Sequence, residues 1–389
     1  MTREEIKKLL EECNSKELVL ELSTGYGKTL SALQYISKYN VNKILIVIPR
    51  LVLVNNWIEE ISKWGYNNLL DNITFTTYAS LHKHKDKEYD CLCFDECQHL
   101  SDRCKDILKE MKSEYKVFLS ATIKTQLKWW LHTTYKNIKF ITVSLKDAID
   151  NEVLPDPKVF LIPLTLNNYS STEVLVKKNK NTNAKIDCFY KDRWKYIRSY
   201  TCHIKCTPYE YHRELCSDIE YWKKQSCFKQ VFKNKWLKLC GDRLKWLSNQ
   251  KIDIVKTILK KLKDYRVLTF CSSIEQTEDL GKYCINSKNK EAMTYLDMFN
   301  NRKIKHITAC SMLDEGCNLT DCKVGLFAMI NSSDMLIKQR NGRILRHKEP
   351  VIIIPYYKNT REEELVQKML ENYNRELVTI INNLEDLKL

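Results

Sequence analysis

Only 8 glycines and 7 prolines occur among the 389 residues. No internal repeat and no low-complexity tract is present. No apolar run approaches the ~18 residues that a membrane-spanning helix needs; the longest are short pieces such as ILIVIP and VIIIP. The first residues, MTREEIKKLLEE, are charged and amphipathic. They lack an apolar signal core, which argues against secretion and for a cytoplasmic chain. A disulfide framework is also missing, although there are 16 cysteines. The chain is long and its cysteines sit in apolar runs such as CLCF and TFC, so they read as buried free thiols of a reducing compartment. With 43% hydrophobic and 29% charged residues, wholesale disorder is excluded. The length suggests roughly two to three domains.

Positive charge is plentiful. Lys and Arg number 64 against 49 Asp and Glu, a formal net charge of +15. A polyanionic partner accounts for this balance, because phosphate neutralisation supplies most non-specific affinity for nucleic acid. A solvated Lys-rich surface is the plainer reading. Residues 177–250 carry much of the excess, eighteen Lys and Arg against seven Asp and Glu, with four of the eight Trp. The Lys-, Asn- and Ile-heavy composition suits a low-GC genome, bacterial or phage.

The first 150 residues alternate strand-like runs (LVLEL, KILIVIP, ITFTTY, CLCFDE, KVFLSAT, KFITVSL) with amphipathic or polar segments. That rhythm is the signature of an α/β fold with a parallel sheet, whose ligands bind at the carboxyl ends of strands. LPDPK at 154–158 reads as a linker. The rhythm resumes after residue 250 with KIDIVKTILKKLK, RVLTFCSS, KHITAC, KVGLFAMI and VIIIPYY. Thr360, with Glu363 three residues on, predicts a capping box at the start of the last helix.

Four of the scarce glycines, Gly25, Gly27, Gly316 and Gly342, fall in motifs. STGYGKT, at 23–29, lies between a strand-like run and a helical one. A strand, a glycine loop and a helix in that order aim backbone N–H groups at phosphates. Thr24, Gly25 and Gly27 form the loop, Lys28 reaches the β- and γ-phosphates, and Thr29 ligands magnesium. The strict spacing asks for glycine at position 22, where Leu22 stands. CLCFDECQH ends a buried strand in Asp95, suited to magnesium, and Glu96, suited to orienting water. FLSATI places Ser120 and Thr122 at another strand end. QRNGRILR carries Gln339, Arg343 and Arg346, and the two arginines, three apart, share a helix face. Such a pair can reach a γ-phosphate from across a cleft.

In this order the motifs resemble those of superfamily 2 helicases and translocases over nearly the whole chain outside 177–250. The resemblance implies two RecA-like α/β domains in tandem, about 1–150 and 151–389. The second would carry the basic segment as a helical insertion. IPRLVLVNNWIEEISKW, with Asn56, Trp57 and Glu60, is similar to the Ia region of Swi/Snf-type and UvsW-like members. FTTYASL resembles motif Ib, RVLTFCSSIEQTEDL motif IV and LDEGCNL motif V, with Gly316 and Asn318 on the nucleotide side. The family pattern implies ATP and magnesium as ligands. It makes Lys28, Asp95, Glu96, Gln339, Arg343 and Arg346 catalytic and gives Gln98, Ser120 and Thr122 a coupling role. Arg50, Thr76, Thr77, Ser272 and Thr308 would contact nucleic acid. Where the family has DEAH or DEAD, this chain has DECQ. No glutamine precedes the glycine loop, so adenine recognition by a Q-motif is not expected.

KDRWKYIRSY interleaves Arg193, Lys195 and Arg198 with Trp194, Tyr196 and Tyr200, a mixture that suits phosphates and stacked bases as well as a small helical subdomain. Cys202, His203, Cys206, His212 and Cys216 are candidate zinc ligands, although their spacing matches no standard pattern well. The function expected is nucleic-acid-dependent ATP hydrolysis driving unwinding or translocation, on DNA before RNA. A duplex-DNA translocase that never unwinds and an inactive binding module are the alternatives.

Overall fold

The computed structural model describes residues 1–178, 200–310, 319–331 and 333–389. In the first part, strands β1 (Glu17–Leu22), β2 (Ile44–Ile48), β3 (Ile73–Thr77), β4 (Cys91–Phe94), β5 (Tyr115–Ser120) and β6 (Lys139–Val143) alternate with helices. The helices are α1 (Arg3–Glu12), α2 (Lys28–Ser37), α3 (Leu53–Lys63), α4 (Asp102–Glu110), α5 (Thr125–Thr134) and α6 (Leu145–Asp150). The strands form one sheet in the order β3-β2-β4-β5-β1-β6, parallel throughout. Every residue of β2 and β4 is buried, because a parallel sheet is covered on both faces; hence the unbroken apolar runs.

The second part contains β7 (Lys158–Leu164), β8 (Thr172–Lys178), β9 (Tyr200–Cys206), α7 (Pro208–Gln225), α8 (Gln230–Asn249), α9 (Ile252–Lys261) and β10 (Val267–Phe270). After these come α10 (Ile274–Leu280), β11 (Cys284–Ile285), α11 (Ala292–Asn300), β12 (His306–Ala309), β13 (Val324–Phe327), α12 (Asp334–Ile344), β14 (Val351–Tyr357), α13 (Arg361–Leu370) and β15 (Val378–Ile380). A seven-stranded parallel sheet runs β11-β12-β10-β13-β14-β7-β15. One hydrophobic cluster continues from Leu20 and Ile46 of the first sheet, through Leu154, to Phe270 and Ile352 of the second.

The basic segment is not wholly helical. It is entered through an antiparallel pair, β8 with β9, and only then forms the hairpin of α7 and α8. Thr172, Val174 and Val176 alternate along β8, and Ile204 lies between Cys202 and Cys206 in β9; β-branched residues in alternation favour extended backbone over helix. Arg193, Trp194, Lys195 and Arg198 lie outside the described residues, as do Gly316 and Asn318. Among the described residues no cluster of three or more metal-ligating side chains exists, and no helix is long and apolar enough to cross a membrane. His212 and Cys216 do meet, at 3.6 Å, but Arg243 donates to the same sulfur at 3.3 Å. Burial first, then Arg243, pushes the His212 imidazole down to about 4.

A fully buried ion pair anchors the root of the helical hairpin. The Lys251 Nζ donates to Glu362 Oε1 at 2.5 Å and to the Pro355 carbonyl at 3.1 Å. The other Glu362 oxygen accepts the Tyr357 N–H. Removing one partner of such a pair strands a charge in the core, a loss of about 3–5 kcal/mol. At the start of α13 the expected capping box is not formed. Thr360 caps Glu362 N, while the Glu363 carboxylate accepts from Asn359 N, one residue earlier.

Candidate nucleotide site between two sheets

Parallel strands deliver their following loops to one sheet edge, and the motif residues collect there. The 23–29 loop leaves β1, Asp95 and Glu96 leave β4, and Ser120 and Thr122 close β5, the strand between those two. Gly27, at φ 114°, caps α2 without a side-chain hydrogen bond. The first amides of that helix are therefore available to an anion. A cavity of about 610 Å³ opens over the loop. Thr24, Gly25, Gly27, Lys28 and Thr29 line it with Asp95 and Glu96, and Arg343 and Arg346 of the second part close it.

Lys28 Nζ is paired with Glu96 Oε1 at 2.8 Å, both largely buried. The second Glu96 oxygen accepts from Gln98 Nε2 at 2.9 Å. Gln98 Oε1 accepts from the Ser120 hydroxyl at 2.6 Å, and that hydroxyl accepts from Thr122 N. A continuous chain thus runs from Lys28 to the β5–α5 turn. Glu96 adopts a left-handed backbone, φ 50°, rare for a non-glycine residue and typical of functional turns. Burial pushes its carboxyl up. The charge of Lys28, hydrogen bonds from Lys28 and Gln98, and the Arg343 charge outweigh that and hold it below the usual range. Asp95 goes the other way. Burial, then the neighbouring Glu96 charge, pushes it up to about 6 against the pull of Lys28.

Two holders of Asp95 were not legible as such. Trp57 of α3 donates its indole N–H to Asp95 Oδ2 at 3.0 Å, and the Tyr78 hydroxyl donates to the Asp95 carbonyl at 2.7 Å. Arg3 and Glu60 also line the cavity, and Arg3 Nε donates to the Tyr26 carbonyl. Helical spacing in NWIEEISKW could have pointed to one face bearing Trp57, Glu60 and Trp64, but not to what that face meets.

Gly342 brings the two parts into close approach. A Cβ there would lie 2.3 Å from Thr24 Cβ and 2.8 Å from the Thr24 carbonyl oxygen. Helix α12 thus rests on the glycine loop at the one residue without a side chain. Burial, then the Arg343 charge, pushes the Arg346 guanidinium down to about 10, opposed by Glu60; it stays cationic at neutral pH. Gln339 is buried on α12 and does not line the cavity; both its amide atoms lack a hydrogen-bond partner among the described residues.

The residues expected to grip nucleic acid are scattered. Arg50 is exposed just beyond β2, and Thr77 is half-buried at the end of β3. Thr76, Ser272 and Thr308 are buried instead. Ser272 bonds to Gln276 Oε1 through its amide and hydroxyl, and Thr308 donates to the Thr277 carbonyl. The Ser272 and Thr308 hydroxyls are thus hydrogen-bonded within the second part.

Two family models match: the type III restriction enzyme res subunit over residues 1–125 and the helicase conserved C-terminal domain over residues 250–348. Together they span more than half of the chain. The DNA 3'-5' translocase XPB2 of Sulfurisphaera tokodaii is 23% identical over 379 residues, covering 92% of this chain and 81% of the relative. A variant of S. cerevisiae Dbp5 bound to RNA and ADP BeF3 superposes with a TM-score of 0.60 at 10% identity, covering 97% of this chain and 89% of Dbp5. The Pyrococcus furiosus Hef helicase domain gives 0.50 at 13%, covering 94% and 96%.

Proposed function

We propose that this chain, which belongs to the superfamily 2 helicases and translocases and is an ATP hydrolase of two RecA-like domains, is a motor that moves along DNA. In this reading the domains divide near residue 150, and residues 177–250 are an insertion in the second. The observation that carries it is the single cavity shared by Lys28, Glu96, Arg343 and Arg346. Catalytic groups drawn from both sheets act together only while the two parts are closed, so turnover and domain movement are tied.

The residues fit a nucleoside triphosphate. Ser23 Oγ and Thr24 Oγ1 are buried without a partner among the described residues, and nothing lies within 4 Å of where a Gly27 Cβ would be. The loop amides and Lys28 would hold the phosphates. Lys28 must then leave Glu96, which removes the strongest influence lowering that carboxyl. Substrate binding itself thereby turns Glu96 from an ion-pair partner into a stronger base, free to orient the attacking water. Gln98 keeps hold of its other oxygen and relays the change to Ser120. Arg343 and Arg346 would supply positive charge from across the cleft as water attacks the γ-phosphorus, the bond to the nucleoside diphosphate breaks, and charge spreads over the transferring phosphoryl group and the departing diphosphate. Magnesium, when bound, supplies charge neutralisation at the phosphates, and Thr29 and Asp95 are the residues suited to hold it, Asp95 being fixed by Trp57.

The DNA translocase relative and the +15 charge support DNA as the track. A triplex-displacement assay tests this: the protein with ATP should strip a third strand from duplex DNA, and Glu96→Gln should bind ATP yet leave the triplex intact. Wild-type protein that hydrolyses ATP but never displaces the third strand would contradict movement along DNA. A forked duplex in the same assay reports strand separation.

A further inference from the structure

The α7–α8 hairpin changes character along its length. Its root is built into the second domain. Leu244, Leu247 and Ser248 are buried, and the Ser248 hydroxyl donates to Gln276 Oε1 and the Ala328 carbonyl, each at 2.9 Å. Beyond the root, no residue from 220 to 243 is buried. Helices of 18 and 20 residues are ~27–30 Å long, so the distal half reaches well clear of the core that stabilises it.

Charge segregates in the same sense. Between residues 221 and 238 there are six lysines and no acidic residue, whereas Glu210, Glu214, Asp218, Glu220 and Asp242 all lie rootward of that stretch. The distal inner face has its own small packing. Trp222 meets Phe232 with ring centroids 5.5 Å apart, and Lys235 Nζ sits 3.7 Å above the Trp222 ring. The outer face leaves large apolar groups in solvent. Phe228, in the turn joining the helices, is 71% exposed and Tyr221 53%. Exposed rings stand here among lysines, with no carboxylate between residues 221 and 238. They are complementary to a strand whose phosphates are anionic and whose unpaired bases have flat apolar faces.

We propose that the distal α7–α8 hairpin, from Tyr221 to Lys238, is a contact site for a single strand of nucleic acid, with lysines on the phosphates and Phe228 stacked on a base. The site is separate from the nucleotide cavity, whose lining includes no residue of the hairpin. Its rigid root carries any load on the tip into the second domain, the part that must move against the first. The proposal rests on the reading of the chain as a nucleic-acid motor.

The test uses the full chain, a single-stranded oligo-dT and a duplex of equal length, with affinity measured against salt. Changing Lys223, Lys224, Lys229 and Lys233 together to Ala should flatten the slope of log K against log salt for oligo-dT by roughly two to three units, at about 0.7 per lost phosphate contact. Alanine suits helix surfaces, and ATP turnover without nucleic acid should be unchanged, which reports an intact fold. Phe228→Ala should weaken oligo-dT binding by about 5- to 150-fold and the duplex much less. An unchanged slope in the quadruple variant, with wild type binding normally, overturns this site while leaving the motor reading in place. Equal losses for oligo-dT and duplex in Phe228→Ala overturn the stacking assignment. Wild-type protein that binds neither DNA overturns both readings together.

Discussion

Arg343→Ala should lower kcat for ATP hydrolysis by on the order of 10³-fold or more, the range expected when an arginine that stabilises a transferring phosphoryl group is removed. Nucleotide affinity should fall far less, because in the proposed site the amides of the 23–29 loop and Lys28, on the other side of the cleft, would hold the phosphates. Arg343 is 5% exposed on α12 and lines the cavity opposite Glu96, whose carboxyl its charge helps to hold down. Steady-state turnover together with equilibrium binding of a fluorescent nucleotide separates the two quantities. Turnover within a factor of two of wild type would show that Arg343 serves only the packing of α12. Arg343→Lys keeps the charge but loses the planar fork, so it should recover only part of the loss.

Gly342→Ala should be nearly as damaging although it touches no charge. A methyl group 2.3 Å from Thr24 Cβ lies far inside the ~3.5–4.0 Å at which carbon atoms rest. Thr24 is part of the phosphate loop, and its carbonyl oxygen is also too close to yield. Helix α12 would have to withdraw by more than about 1 Å, and misplacement on that scale costs catalysis on the order of 10²-fold. The expected result is a kcat reduced by that factor or more, with nucleotide binding and melting temperature close to wild type. The methyl blocks the approach of two parts and leaves the fold of each alone. Undiminished turnover in Gly342→Ala would mean that the contact between α12 and the loop is not part of the working state.

The phosphate loop, the Asp95–Glu96 pair and the Arg343–Arg346 pair could be picked out because each is a short run at the end of a strand or on one helix turn, where sequence spacing equals spatial spacing. The parallel α/β sheets were legible for a similar reason: burial on both faces writes unbroken apolar runs into β2 and β4. Contacts made through tertiary structure left no such trace. Nothing in the order of residues says that the Trp57 indole reaches Asp95, 38 positions away, or that Gly342 must be bare because Thr24 lies against it. Motif resemblance also says nothing of the contacts that Ser272 and Thr308 make within the fold. It transfers a position along the chain, while the hydroxyls themselves turn inward to Gln276 and Thr277. The β8–β9 pair was hidden by the density of charge around it, which reads as helix surface when the partner strand is not known.

ATP turnover by the wild-type chain, measured without nucleic acid and then with saturating single-stranded or duplex DNA, tests the central claim most directly. A motor whose site is completed by closure of two domains should turn over slowly alone and severalfold faster on DNA, and Lys28→Ala should abolish both rates. Turnover that is indifferent to DNA, or that survives in Lys28→Ala, would contradict the account.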